Sequence, residues 1–162
     1  MMNSRTRCLA LVCASGASVW LTGAVGAQCP GGESPADFCG SARVLSGAAG
    51  TQVVIVNPSS ATAPSETICG VTVGHSVWFS ITPSVSGLLT FSTCHPSTTY
   101  DTVADAYSGG DSLCEFMTSV QCNDDVPVGE CSNGCSAYGS RLIFSVTAGT
   151  RYRIRVGSYN NN

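Results

Sequence analysis

The chain contains no lysine and few charged residues of any kind. Charged side chains make up 10% of its 162 residues, with 7 basic residues, all Arg, against 10 Asp and Glu. Soluble domains average about 25%. This deficit, together with a net charge of −3, removes the electrostatic basis for binding nucleic acid or an anionic membrane surface. It also argues against a solvated helical bundle, because the outer faces of such helices are rich in charge.

Histidine is almost as scarce, since the chain has only His75 and His95. The tetrapeptide at 110–113, Gly-Asp-Ser-Leu, spells the nucleophile block of the GDSL esterases, which also carry an Asp-x-x-His pair far downstream. No histidine follows Ser112, so a Ser-His-Asp triad has no support. The Gly-Gly-Asp sequence here is typical of a hairpin turn. We therefore expect no catalytic residues and no enzyme activity of the chain itself.

Long hydrophobic runs are absent except near the start of the chain. Arg5 and Arg7 precede a mostly apolar stretch at 8–21, which is too short for a membrane span and typical of a signal peptide. The small residues at 25–27 form a cleavage site, so the sequence predicts a signal peptide over 1–27. An N-terminal anchor helix is the alternative. The predicted location is secreted, periplasmic or at the cell surface, with no membrane contact after cleavage.

Removal of residues 1–27 leaves eight of the ten cysteines and five Arg against ten acidic residues, a net charge of −5. An even cysteine count in an exported chain favours disulfides over metal binding. A zinc site would need paired close cysteines, and the pair Cys131 and Cys135 stands alone. The remaining cysteines are Cys29, Cys39, Cys69, Cys94, Cys114, Cys122, Cys131 and Cys135.

Alternating apolar residues predict short antiparallel strands in the downstream half. Two period-2 runs flank the turn at 147–150, with apolar residues at 142, 144 and 146 and again at 152, 154 and 156. Further strands are expected at 43–45, 52–56, 75–82, 88–94, 100–103 and 122–125. We expect a loose leader at 28–36, rich in Pro and Gly, and one β-sandwich domain over 37–162.

Two side-chain patterns lie outside this core alternation. Arg151, Arg153 and Arg155 share one face of the last strand, which favours a solvent face that discourages edge pairing, with a binding stripe as the alternative. Trp78 alternates with Val77 and Phe79, so it either forms an exposed aromatic platform or contributes to a second core layer.

If the strands from 88 to 122 run up and down consecutively, the same end of the domain holds Cys94, Asp101 and Cys122. A disulfide needs Cα atoms about 4.4–6.8 Å apart, so this arrangement favours Cys94 with Cys122. Cys131 and Cys135 remain competing partners for Cys94. The same end would hold Asp124 and Asp125, so the three carboxylates predict a calcium site. The alternative is that these residues only cap turns.

The order of short motifs over 37–160 resembles a domain found in large secreted proteins of planctomycete-type bacteria. It is similar to the bacterial pre-peptidase C-terminal domains, and more loosely to CUB domains. The motifs are Asp37-x-Cys39, Cys69, Val77-Trp78-Phe79-Ser80, Ser86-Gly87-x-x-Thr90-Phe91-Ser92-Thr93-Cys94, Tyr100-Asp101-Thr102, Tyr107-Ser108-Gly109, Cys122-Asn123-Asp124-Asp125, Ser140-Arg141-Leu142, Thr147-Ala148-Gly149-Thr150 and Tyr152-x-Ile154-Arg155-Val156-Gly157.

The resemblance implies an all-β, jelly-roll-like antiparallel sandwich with disulfides, acting as an adhesive or accessory module. It places a cysteine at each of Cys39 and Cys69, which we expect to pair. It also supports calcium, since carboxylates after a Tyr-Asp strand start hold calcium in many CUB domains. Such domains continue after the Tyr-x-Ile-Arg-Val strand with a Gly-rich turn and one more strand, so the last strand is expected to be missing here by truncation.

These features together predict a secreted, non-catalytic binding or structural module. The alternative is an accessory domain of a larger secreted hydrolase or peptidase, and a stand-alone esterase ranks behind both. An extracellular polymer or a cell-surface component is the expected kind of partner.

Overall fold

The computed structural model describes residues 9–15, 37–56, 65–96, 98–110, 114–127, 129–131 and 138–160. These residues form ten strands and one 3-10 turn, Cys39–Ser41. Among them, no helix is long and apolar enough to cross a bilayer. The strands are β1 (Leu9–Ser15), β2 (Arg43–Val44), β3 (Gly50–Val56), β4 (Glu66–Ile68), β5 (Val71–Ile81), β6 (Gly87–Ser92), β7 (Thr102–Gly109), β8 (Met117–Asn123), β9 (Arg141–Val146) and β10 (Tyr152–Tyr159).

The strands form two sheets. The first has the order β3-β1-β6-β9, and all its neighbours are antiparallel. The second has the order β2-β5-β10-β7-β8, and β4 pairs with β5 as well. Its only parallel pair among the described strands is β2 with β5, where Arg43 lies opposite Phe79. The predicted all-β sandwich is confirmed, with this one parallel pair added to an otherwise antiparallel architecture.

The core between the sheets comes from the alternating positions in the sequence. Val77, Phe79 and Ile81 of β5 point inward, as do alternate residues of β6, β7, β9 and β10. Phe79 and Phe91, from opposite sheets, pack with ring centroids 6.0 Å apart. The strands predicted around the turn at 147–150 are confirmed as β9 and β10, which lie in different sheets.

The outer face of the second sheet is also covered. Ile68 of β4 packs with Val73 and Val103 in a second, smaller core, and Gly157 lies beneath them. A Cβ at Gly157 would stand 2.8 Å from Val73 side-chain atoms and 3.4 Å from Ile68, so this close approach requires glycine. The β4–β5 hairpin therefore covers part of the outer face of the second sheet. Polar residues on this part of the face are buried as a result.

The expectation that the strands from 88 to 122 are consecutive antiparallel neighbours is wrong for the first pair, β6 and β7. β6 belongs to the first sheet and β7 to the second, so the chain crosses between sheets over 93–101. β7 and β8 are neighbours, as expected, with Ala104 opposite Asn123. The error affects every inference that relied on β6 and β7 being neighbours.

The described disulfides are Cys39–Cys114, Cys69–Cys122 and Cys94–Cys131, with Cα atoms 6.0, 5.7 and 5.2 Å apart. The prediction of Cys39 with Cys69 is wrong. Cys39 lies beside Met117 at the start of β8, with its Sγ 3.7 Å from the Met117 Sδ, whereas Cys69 is bonded to Cys122 near the end of that strand. Five residues of extended strand, roughly 17 Å, separate Met117 from Cys122.

The prediction of Cys94 with Cys122 is also wrong. Cys122 lies opposite Asp105, which points to the outer face of the second sheet, whereas Cys94 follows β6 of the first sheet. The competing partner Cys131 is the one bonded to Cys94, and Cys135 lies outside the described residues. A Cβ at Gly139 would stand 2.9 Å from the Cys94 Sγ and 2.8 Å from the Cys131 Sγ, so this disulfide packs directly on a glycine.

Strand β1 comes from the apolar stretch in which the sequence predicts the signal peptide. It lies between β3 and β6 and runs antiparallel to both. The removal of residues 1–27 stays a prediction, because the structure is that of the whole chain. The leader at 28–36 lies outside the described residues.

Candidate functional site

Three carboxylates meet at the end of the sandwich where β7 begins and β8 ends. Asp101 immediately precedes β7, and Asp124 and Asp125 immediately follow β8. One carboxylate oxygen from each lies within 4.8 Å of the others. The sequence-based expectation that these residues come together is confirmed. The reason is local, because neighbouring antiparallel strands bring the start of one beside the end of the other.

Buried hydroxyl groups fix the backbone around this cluster. The Oγ1 atoms of Thr93 and Thr102 lie 2.7 Å apart, and both accept a hydrogen bond from the backbone N–H of Ser140. The Ser140 hydroxyl lies within hydrogen-bond distance of the carbonyls of Thr102 and Asp124. The Asn123 amide donates to the Asp125 carbonyl at 3.0 Å. This network ties the end of β6 to both segments that carry the carboxylates.

The cluster is electrostatically unfavourable without a positive partner. Burial and the nearby charges of Asp125 and Asp124 raise the pKa of Asp101 to about 6. Burial and the charge of Asp125 also raise the pKa of Asp124. Oδ1 of Asp101 and Oδ1 of Asp124 are buried and have no hydrogen-bond partner within the described part of the chain. Two buried acceptors without donors at one site leave their desolvation uncompensated.

The geometry fits one cation held by carboxylates. Two oxygens that each lie 2.3–2.6 Å from a Ca²⁺ ion are at most about 5 Å apart, and the 4.8 Å spread of the three oxygens meets that limit. The backbone carbonyls of Asp101, Asp124 and Asp125 already accept hydrogen bonds from the Tyr159 N–H, the Ser140 hydroxyl and the Asn123 amide. The carboxylate oxygens are therefore the protein ligands available to the ion, and water would complete the six to eight oxygens that Ca²⁺ takes.

The raised pKa of Asp101 predicts a pH dependence of stability in the presence of chelator. Between about pH 4 and pH 6 the folded state holds a proton on Asp101 that the unfolded state has released, so stability should fall as pH rises through this range. An Asp101→Asn variant should lose this contribution and gain stability relative to wild type at pH 7. Thermal melts of both proteins from pH 4 to 7 measure the difference; parallel curves would contradict the raised pKa.

A buried charge network, which the sequence analysis missed, covers the outer face of the second sheet. Arg155 donates to both carboxylate oxygens of Asp105, at 3.2 and 2.6 Å. Its other hydrogen bonds go to Glu66 Oε2 at 3.0 Å, the Tyr107 hydroxyl at 3.1 Å and the Thr67 carbonyl at 3.3 Å. Its Cζ lies 5.2 Å from the centroid of the Trp78 ring. The available signals were a lone Asp in the apolar strand β7 and the arginines of β10, but pairing Asp105 with Arg155 requires the strand order.

These charges shift one another's ionisation. Burial, and the hydrogen bond that the Tyr107 hydroxyl donates to Asp105 at 2.5 Å, raise the pKa of Tyr107 to about 12. Burial acts to lower the pKa of Arg155, but its hydrogen bonds to Asp105 and the charge of that carboxylate outweigh burial and raise it. Arg155 therefore stays charged and Tyr107 neutral, so the network is fully hydrogen-bonded at neutral pH.

The predicted solvent face of three arginines is wrong for two of them. β10 is a central strand between β5 and β7, and Arg153 and Arg155 are buried, whereas Arg151 is exposed. Arg153 donates to the carbonyls of Gly109 and Gly110, each at 3.2 Å, and so braces the end of β7. Trp78 is buried on the outer face beneath Arg155, so it is not an exposed platform.

Ser112 lies outside the described residues. Gly110 follows the end of β7, whereas His75 and His95 lie near the start of that strand, His75 beside the Gly74–Ser158 pair and His95 beside Thr98 and Thr93.

Comparisons with known proteins find no matching family model, no matching curated protein and no matching solved structure.

Proposed function

We propose that the chain is a secreted, non-catalytic β-sandwich module that binds Ca²⁺ through Asp101, Asp124 and Asp125. In this proposal it serves as an adhesive or accessory domain for an extracellular polymer or a cell-surface component. The observation that carries the proposal is the meeting of three carboxylates, two with buried oxygens that accept no hydrogen bond from any described residue. The three described disulfides support an oxidising compartment, because such bonds are rare in reducing cytosol.

The setting of the site supports a structural role for the ion. Asp101 belongs to the connection from β6 to β7, and Asp124 and Asp125 begin the connection from β8 to β9, which also carries the disulfide to Cys94. One ion bound to both connections would cross-link them at the end of the sandwich. With three carboxylates and mostly water as further ligands, the affinity expected is that of extracellular modules, with Kd about 10⁻⁴–10⁻³ M.

Calcium should stabilise the folded protein by mass action. At 10 mM Ca²⁺ an ion of that affinity, bound only by the folded state, adds about 1.4–2.7 kcal/mol to the free energy of unfolding. Thermal melts at pH 7.5 should move upward with Ca²⁺ and return with chelator. An Asp124→Ala variant should lose the response, because it removes one of the three ligands.

Glu115→Ala is the matched control for the calcium prediction. Glu115 is an exposed carboxylate in the connection between β7 and β8, at the other end of the sandwich from the cluster. Its variant should respond to Ca²⁺ as the wild type does. If wild type and Asp124→Ala melt alike with and without Ca²⁺, the cluster only caps turns and the calcium proposal fails.

The absence of catalysis is a separate prediction. The purified protein should hydrolyse an activated ester no faster than buffer, because no histidine follows Ser112 in the sequence and none can be assigned as its base. The comparison is between wild type and Ser112→Ala with a chromogenic ester. Hydrolysis by the wild type that the substitution abolishes would refute the non-catalytic part of the proposal.

A further inference from the structure

We infer that the processed protein has a strand-wide slot between β3 and β6 that binds an extended, uncharged segment of another polypeptide as an added β-strand. The inference rests on the secreted location in the proposed function, because removal of residues 1–27 is what empties the slot. In the whole chain, Leu9–Ser15 fills it as β1.

The slot is bounded on both sides by strands that depend on β1. In the described part of the chain β3 pairs with β1 alone, over seven residue pairs from Leu9–Val56 to Ser15–Gly50. β6 pairs with β1 over four residue pairs and with β9 on its other side. Since neighbouring strands lie about 4.8 Å apart, loss of β1 leaves a gap of about 9.5 Å between β3 and β6, the width of one missing strand.

An empty slot leaves two rows of backbone groups unpaired. β3 would lose all its described ladder partners and β6 one of its two. Exposed strand edges of this kind are templates for pairing with another chain, and native proteins cover them. The slot also borders the main core. Leu89 and Phe91 of β6 are fully buried in this core, and Val54 of β3 packs against the core. An occupant is needed both for hydrogen bonding and to keep water from this core.

The structure specifies the occupant's chemistry. β1 shows that six or seven extended residues fit, running antiparallel to both neighbours. Neither Gly50–Val56 nor Gly87–Ser92 contains a charged residue, so the bounding strands offer nothing to pair with a charge. The occupant is therefore an uncharged strand with apolar residues at alternate positions, and its backbone forms ladders on both sides. This is strand addition, in which main-chain hydrogen bonds supply affinity and alternate side chains supply specificity.

The test uses the exported protein as processed by the secreting cell, with its N-terminus determined by mass spectrometry. The probe is a fluorescent peptide with the sequence of residues 9–15 carrying Cys13→Ser. The matched control peptide also carries Val12→Pro, because Val12 lies opposite both Val53 and Ser92 and proline cannot donate to a ladder. The probe should bind saturably, and the proline peptide roughly tenfold more weakly or worse. Hydrogen exchange should slow in β3 and β6 when the probe binds and stay unchanged in β8.

Three outcomes bear on different parts of the inference. A chain that retains Leu9–Ser15 after export would overturn both the slot and the predicted processing. A processed chain that ignores the peptide, or binds both peptides equally, would overturn the slot alone and leave the calcium module intact. Amides of β3 and β6 that are already protected in the processed protein would show that its own chain closes the gap, which also overturns the slot.

Discussion

Replacing Arg155 by methionine should lower the free energy of unfolding by about 3–5 kcal/mol, because it leaves Asp105 buried without its cation. The side chain of Asp105 is 6% exposed and that of Arg155 is 10% exposed, and the two share a bidentate ion pair. The methionine retains most of the packing against Trp78 but supplies no donor. The loss should be measured by urea unfolding at pH 7.

Arg151→Met is the matched control for this prediction. Arg151 lies just before β10 and is exposed, so its substitution should change stability by no more than about 0.5 kcal/mol. Equal effects of the two substitutions would contradict a structural role for the ion pair. The double variant Arg155→Met/Asp105→Leu sharpens the argument, because replacing both partners of a buried pair with apolar residues is often neutral. It should recover much of the stability lost by Arg155→Met alone.

The local part of the fold could be predicted from the sequence. Alternation of apolar residues at 142–146 and 152–156 is a property of each strand by itself, and β9 and β10 lie where it predicts them. The acidic cluster follows for a similar reason. Asp101 and Asp124 flank two strands joined by one short connection, so their meeting requires only that β7 and β8 form a hairpin.

The non-local part could not be predicted, because periodicity does not say which sheet a strand joins. Thr93 to Asp101 carries the chain from one sheet to the other, and nothing in those residues distinguishes this crossing from a turn within one sheet. The cysteine pairs depend on that distinction. The pair of Arg155 with Asp105 depends on it as well, since β7 and β10 are neighbours separated in sequence by β8 and β9.

The disulfides provide the other large effect. Cys69 and Cys122 are 53 residues apart, and Cys39 and Cys114 are 75 residues apart. On the chain-entropy model, loops of these lengths correspond to about 4 and 4.5 kcal/mol of stability, through restriction of the unfolded chain. The Cys69–Cys122 bond also holds the β4–β5 hairpin beside Cys122 on the outer face, where Glu66 and the Thr67 carbonyl contact Arg155.

A comparison of double variants separates this pairing from the Cys39–Cys69 pairing that the family resemblance implies. If Cys69 is bonded to Cys122, then Cys69→Ala/Cys122→Ala removes one disulfide and should cost about 4 kcal/mol, close to either single substitution. Cys39→Ala/Cys69→Ala then removes two disulfides and should cost about 8 kcal/mol, a large part of the 5–15 kcal/mol typical of a whole domain. If Cys39 were bonded to Cys69, the second variant would be the mild one. Urea unfolding of the two double variants, with non-reducing peptide maps, decides between these pairings, and a mild Cys39→Ala/Cys69→Ala variant would refute the bridges described here.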